Sequence, residues 1–171
     1  MSTTAVMATT ANLEGSLPLL GKVYALTGGC SGIALGTARL LSKRGATVCM
    51  ADIDADAIKS VELSFSVLNV PYMIRTVDVS KRSEVEGWIK SIVEKYGRLD
   101  GACNAAGIIG SGHGTVPVSK LQDSEWDKII AVNLTGTMYC LRAQLGSIVD
   151  GGSIVNVASI HGIKGRKKIW A

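Results

Sequence analysis

The stretch Thr27-Gly28-Gly29-Cys30-Ser31-Gly32-Ile33-Ala34 decides how this chain reads. It follows a strand-length run, KVYALT at residues 22–27, and leads into a helix-like stretch over residues 36–44. Glycines at 28 and 32 let the main chain turn sharply and leave no Cβ between its amides and a bound group. A helix starting just after such a turn offers free N–H donors, and the positive end of its dipole, to a diphosphate. Alone, the same turn is also consistent with a tight loop, so its surroundings carry the weight.

Working outward, the run ATVCMA at residues 46–51 ends at Asp52, twenty positions after Gly32. A carboxylate there can accept hydrogen bonds from both hydroxyls of an adenosine ribose and would repel a 2′-phosphate, which favours NAD over NADP. The alternative is that Asp52 only caps the next helix, a role for which Asp54 is better placed. YMIRTV at residues 72–77 closes on Asp78-Val79, and LDGACN at residues 99–104 closes on Asn104-Ala105-Ala106-Gly107. Asp78 could accept an adenine amino group, and the small residues after Asn104 allow close main-chain approach. Either pair alone is an ordinary strand-end turn; in register with the first two motifs they point to one dinucleotide cleft.

Between these runs lie helix-period stripes. Val85, Trp88, Ile89, Ile92, Val93 and Tyr96 form one, and Ile58, Val61, Phe65 and Leu68 a weaker one with Asp54 as N-cap. Trp126, Ile129, Ile130, Leu134, Met138, Leu141 and Leu145 form a longer one, with Asp123 or Ser124 as its start. SIVNVA at residues 153–158 supplies a fifth strand. Strands alternating with helices predict an α/β fold, a Rossmann-type doubly wound parallel sheet of about five strands, incomplete. One domain is expected over residues 21–171, after an arm at residues 1–20 and with an atypical basic tail at residues 164–171. In such sheets ligands sit beyond the carboxyl ends of the strands.

Composition excludes several function classes. Hydrophobic residues make up 47% of 171, enough for a core, and the eight aromatic residues (Phe 1, Trp 3, Tyr 4) are too few for base-stacking platforms. The net charge of +4 comes from the tail, because residues 1–163 hold 14 basic and 14 acidic side chains. A nucleic-acid partner is therefore not expected. Cys30, Cys49, Cys103 and Cys140 form no CxxC pair, and His113 and His161 are far apart, so neither a metal site nor a disulfide framework is expected. No apolar run is long enough to cross a bilayer. Residues 1–20 resemble neither a secretory nor a mitochondrial leader, which implies a cytoplasmic protein.

Over residues 21–162 the chain resembles the short-chain dehydrogenase/reductase family. Thr27-Gly28-x-x-x-Gly32-Ile33 looks like its cofactor loop, with Ala34 where a third glycine is usual. Asn104-Ala-Ala-Gly107 looks like its Asn-Asn-Ala-Gly turn with the second Asn lost. Val132-Asn133-Leu-Thr-Gly136 matches the helix carrying its active-site Asn, and Gly152-Ser-Ile-Val-Asn-Val-Ala-Ser159 the strand delivering its catalytic serine. The resemblance implies hydride transfer between NAD or NADP and a secondary alcohol or ketone. It implies cofactor contacts from Gly28, Ser31, Gly32, Ile33, Asp52, Asp78, Val79, Asn104, Ala105 and Gly107. It gives Ser159 the role of orienting the substrate oxygen and Asn133 that of holding a water relay. Their alternatives are a strand-end cap for Ser159 and, for Asn133, a tie between two helix turns. His113 reads as a solvated loop residue, and His161 could face the cleft.

The family's acid/base tyrosine, in Tyr-x-x-x-Lys, would fall at position 172, one past Ala171. Four residues after Tyr24, Tyr72, Tyr96 and Tyr139 stand Gly28, Thr76, Asp100 and Ala143, so none supplies the lysine. The lysine matters because a phenol of pKa about 10 needs a neighbouring cation to move protons at neutral pH. The expectation is a chain cut short before that motif, with catalysis impaired and its oligomer interface incomplete. The competing expectations are a non-catalytic dinucleotide-binding module and a non-functional fragment.

Overall fold

The computed structural model describes residues 17–164. Five strands alternate with helices in chain order: β1 Val23–Thr27, α1 Gly32–Lys43, β2 Thr47–Asp52, α2 Ala55–Ser66, β3 Tyr72–Thr76, α3 Arg82–Tyr96 and β4 Gly101–Asn104. A continuous helical stretch follows, formed by α4 Asp123–Ile130, a π-helical segment Ala131–Gly136 and α5 Thr137–Leu145, before β5 Ser153–Asn156. The sheet order is β3-β2-β1-β4-β5 and every neighbouring pair is parallel. The doubly wound α/β sheet expected from the sequence is therefore present, with five strands. The change of winding direction between β1 and β4 is where such folds open a crevice.

Strand alternation divides the core into two layers. Ala25, Cys49 and Ala51 face a cluster with Val85, Trp88, Ile89 and Ile92 of α3 and Cys140 of α5. Leu26, Val48 and Met50 face the other way, onto Ala38 of α1 and Ile58, Val61 and Phe65 of α2. All four cysteines are buried free thiols. At the amino ends of β1 and β4, the buried carboxylate of Asp100 accepts from the Val23 N–H (3.0 Å), Lys22 Nζ (3.0 Å) and Arg98 Nε and Nη2 (2.7 and 2.6 Å). Burial opposes ionisation here, but the Arg98, Val23 and Lys22 hydrogen bonds outweigh it and hold the carboxyl at about 2.

Four expectations need correction. α1 begins at Gly32, four residues before the expected start, because the positive φ of Gly32 (48°) lets the glycine-rich turn pass straight into a helix. Leu68 lies beyond the end of α2 and is 48% exposed. Residues 17–20, expected within the arm, form a turn whose Leu19 N–H donates to the Arg44 carbonyl (2.9 Å). The rest of the arm and residues 165–171 of the tail lie outside the described residues.

The stripe from Trp126 to Leu145 is the fourth. The face that meets the sheet carries Ile129, Gly136, Cys140 and Gln144, whereas Trp126, Leu134, Met138 and Leu145 are exposed. Close approach explains this: a Cβ on Gly136 would lie 2.9 Å from Val79 Cγ2 and 3.1 Å from the Val79 carbonyl oxygen. Small residues were needed inside, so the large apolar ones mark the opposite face. Among the described residues, no helix is long and apolar enough to cross a membrane.

Candidate functional site

The carboxyl ends of β1, β2 and β4 open into a cleft of about 690 Å³. The turn after β1 forms its base. Gly28 has φ 63° and passes so close to the loop after β4 that a Cβ would lie 3.0 Å from Ala106 Cα. Thr27, itself buried, secures that approach, since its Oγ1 accepts from the N–H groups of Ala105 and Ala106 (3.2 Å each). The Ser31 hydroxyl makes no capping bond, and the first N–H groups of α1 have no side-chain acceptor among the described residues. Ala34 lines the cleft at 1% exposure, so its methyl packs where a third glycine would stand.

Asp52 locks the loop to the end of β2. Its Oδ2 accepts from the Cys30 N–H (3.0 Å), and its Oδ1 from the N–H groups of Ile53 and Asp54 (2.8 and 3.1 Å). The helix-capping role belongs to Asp54, whose Oδ1 accepts from Asp56 and Ala57 N–H (3.0 Å each). The Cys30 thiol beneath the loop is pushed up to about 12, first by burial and then by the Asp52 charge. Asp78 is oriented by three bonds: its Oδ1 accepts from the Ser80 N–H and hydroxyl (2.9 and 2.6 Å), and its own N–H donates to Glu84 Oε2 (2.8 Å). Asp78 Oδ2 has no protein partner among the described residues. Gly28, Ser31, Gly32, Ile33, Asp52, Asp78, Val79, Ala105 and Gly107, scattered over eighty positions, all line this one cleft.

Three expected site residues stand outside its lining. The amide of Asn104 is buried in a network, donating to Gln144 Oε1 and Asn156 Oδ1 (2.9 Å each) and accepting from Gln144 Nε2 (2.7 Å). Any part Asn104 plays in the cleft goes through its main chain. Asn133 sits in the π-helical segment and clasps the loop after β4: its Oδ1 accepts from the Ile108 N–H (2.8 Å) and its Nδ2 donates to the Ile108 carbonyl (2.9 Å). It therefore joins helix to loop rather than one helix turn to another. Ser159 is exposed, and its Oγ accepts from the His161 N–H (3.2 Å) at the start of the 3₁₀ turn Ile160–Gly162, the cap geometry.

The two histidines, distant in sequence, bring their ring centroids within 6.1 Å of each other. His113 is half-buried rather than solvated, packed by the loop that Glu125 holds through the Ser111 hydroxyl (2.9 Å). Lys128, Ala131, Val132 and Val157 also line the cleft and were missed. They belong to a helix and a strand end whose motifs point elsewhere, and only the fold turns them inward. No cluster of three metal-ligating side chains exists among the described residues.

Comparison with known proteins places this geometry in context. The family model for short chain dehydrogenases matches residues 22–171. "Short-chain dehydrogenase/reductase ABA4" of Pyricularia oryzae is 65% identical over 150 residues, covering 87% of this chain and 56% of that protein. "Chanoclavine-I dehydrogenase ifgE" of Penicillium roqueforti is 41% identical over 159 residues, covering 88% of this chain and 61% of that protein. Among solved structures, NAD⁺-bound xylitol dehydrogenase superposes with a TM-score of 0.81 at 29% identity, covering 88% of this chain and 58% of that one. The chain thus spans little over half the length of the relatives it matches.

Proposed function

This chain belongs to the short chain dehydrogenase family, and on that premise we propose that the cleft holds a nicotinamide dinucleotide, NAD in preference to NADP. The observation that carries the reading is the pairing of an open helix start with an anchored carboxylate one strand away. The N–H groups at the start of α1, approached across Gly28 and Gly32, take the diphosphate. The lone pair left on Asp52 Oδ2 takes a ribose hydroxyl, and its charge, with the apolar Ile53 beside it, disfavours a 2′-phosphate. Asp78 Oδ2 accepts the adenine amino group while Val79 walls the ring. Asn104, Ala105 and Gly107 form the far side through main-chain groups.

When bound, the nicotinamide supplies the hydride acceptor or donor for a secondary alcohol or ketone. Ser159 donates its hydroxyl proton to the substrate oxygen, which the bond its Oγ accepts from the His161 N–H leaves free. Asn133 keeps the loop at Ile108 in place beneath the reacting end. None of Tyr24, Tyr72, Tyr96 and Tyr139 has a lysine four positions on, so none of these four tyrosines is the acid/base group. We expect residues 1–171 to bind dinucleotide, and a non-catalytic binding module is the second reading.

Titrating the protein with NADH and NADPH, followed by nucleotide fluorescence, tests this. Saturable NADH binding should appear, NADPH should bind about tenfold or more weakly, and Asp52→Ala should narrow the gap. No saturable fluorescence change with either nucleotide at millimolar protein concentration would refute the reading. Turnover of secondary alcohols no higher than that of the parent's Ser159→Ala variant would argue for the non-catalytic module.

A further inference from the structure

At the end of α1 remote from the nucleotide cleft lies a second cavity, of about 830 Å³. It opens at the amino edge of the sheet, between the last turns of α1 and α2 and the residues leading into β1, β2 and β3. Its volume suits a small organic molecule. Leu20, Leu68, Val70 and Pro71 give it an apolar floor. Among the described residues, no acidic side chain lines it.

Polar groups converge along one face of α1. Arg39, Ser42 and Lys43 stand three and four residues apart, so they share a helix face. Arg39 and Lys43 are exposed and form no ion pair among the described residues, unlike Lys22, Lys59, Arg82, Lys90 and Arg98. Ser42 is 4% exposed, and its hydroxyl is buried with no hydrogen-bond partner among the described residues. A buried hydroxyl left unpaired is destabilising until something supplies the missing bond. At the helix end, the carbonyls of Leu41 and Ser42 already receive the N–H groups of Arg44, Ala46 and Gly45.

We propose that this cavity binds a small amphipathic anion, a carboxylate on an apolar chain. The chain lies over Leu20, Leu68, Val70 and Pro71, the carboxylate meets Arg39 and Lys43, and the Ser42 hydroxyl donates to it. The site shares no residue with the nucleotide cleft, so it stands whether or not the cofactor reading does.

Dodecanoate, below its micellar concentration, is the probe, with binding followed by calorimetry and by amide chemical shifts of the 171-residue protein. One molecule should bind saturably, with shifts centred on residues 17–21, 39–47 and 64–71. The double variant Arg39→Gln/Lys43→Gln should weaken binding about tenfold or more while keeping its melting temperature and NADH affinity, because both side chains are exposed and outside the cleft. Ser42→Ala should weaken it less, and dodecanol should bind about tenfold more weakly than dodecanoate. The proposal fails if dodecanoate does not saturate, if dodecanol binds as well, or if the double variant binds like the parent. It fails equally if the shifts centre on residues 28–33, or if amide dispersion is lost throughout.

Discussion

At the scale of single residues, one charge with a clear pH signature lies at the amino edge of the sheet, away from the nucleotide cleft. Asp100 is 6% exposed and its carboxyl is held at about 2, against an ordinary value of 3.8. A group whose folded pKa is depressed stabilises the fold above its unfolded pKa, and that contribution fades as pH falls from about 4 toward 2. The shift corresponds to about 2 kcal/mol. Asp100→Asn should therefore lower the urea midpoint at pH 7, and the gap to the parent should shrink markedly by pH 2.5. A gap unchanged with pH would show that packing, not charge, is what Asp100 supplies. The cleft residues work differently: Thr27, Asp52 and Asp78 each spend hydrogen bonds on the main chain around them, so they shape the cleft before anything enters it.

At the scale of elements, the helical stretch from α4 to α5 is where sequence and structure part. The stripe on α3 was legible because Val85, Trp88, Ile89 and Ile92 are both large and buried. Across the π-helical segment and α5 the buried face is Gly136, Cys140 and Gln144, which no hydrophobic period reveals. Gly136→Ala tests the close approach: an added methyl 2.9 Å from Val79 should cost about 1–3 kcal/mol, measured by denaturant unfolding, and should weaken NADH binding by displacing Val79. Stability equal to the parent would mean that the helix can back away. The cleft itself was legible because each motif is contiguous and ends a strand. The Asn104–Gln144–Asn156 network was not, since its partners lie 40 and 52 residues from Asn104 and only the β4–β5 pairing and the packing of α5 unite them. A π-helical segment that interrupts a long helix often marks a functional position, and here it sets Asn133 against Ile108.

At the scale of the whole molecule, apolar side chains on and just after β5 and on the helical stretch from α4 to α5 are exposed. β5 pairs only with β4 among the described strands, Val155 and Val157 are 58% and 40% exposed, and Leu134 and Leu145 are 64% and 66% exposed. Open strand edges and broad apolar faces favour association. Sedimentation of residues 1–171 should show concentration-dependent self-association, relieved by Leu134→Lys/Leu145→Lys; a parent that stays monomeric at high concentration would argue against it. The buried thiols give this molecule a built-in stopwatch. Thiolate is the reactive form, and burial first of all raises Cys30, Cys49 and Cys140 to about 12 and Cys103 upward as well. Alkylation at neutral pH can then proceed only through transient opening. Cys30 and Cys103 time one side of the sheet, and Cys49 and Cys140 the other. Iodoacetamide labelling read by peptide mass should reveal which side breathes first, and NADH should slow the clock at Cys30 while leaving Cys140 running at its old rate.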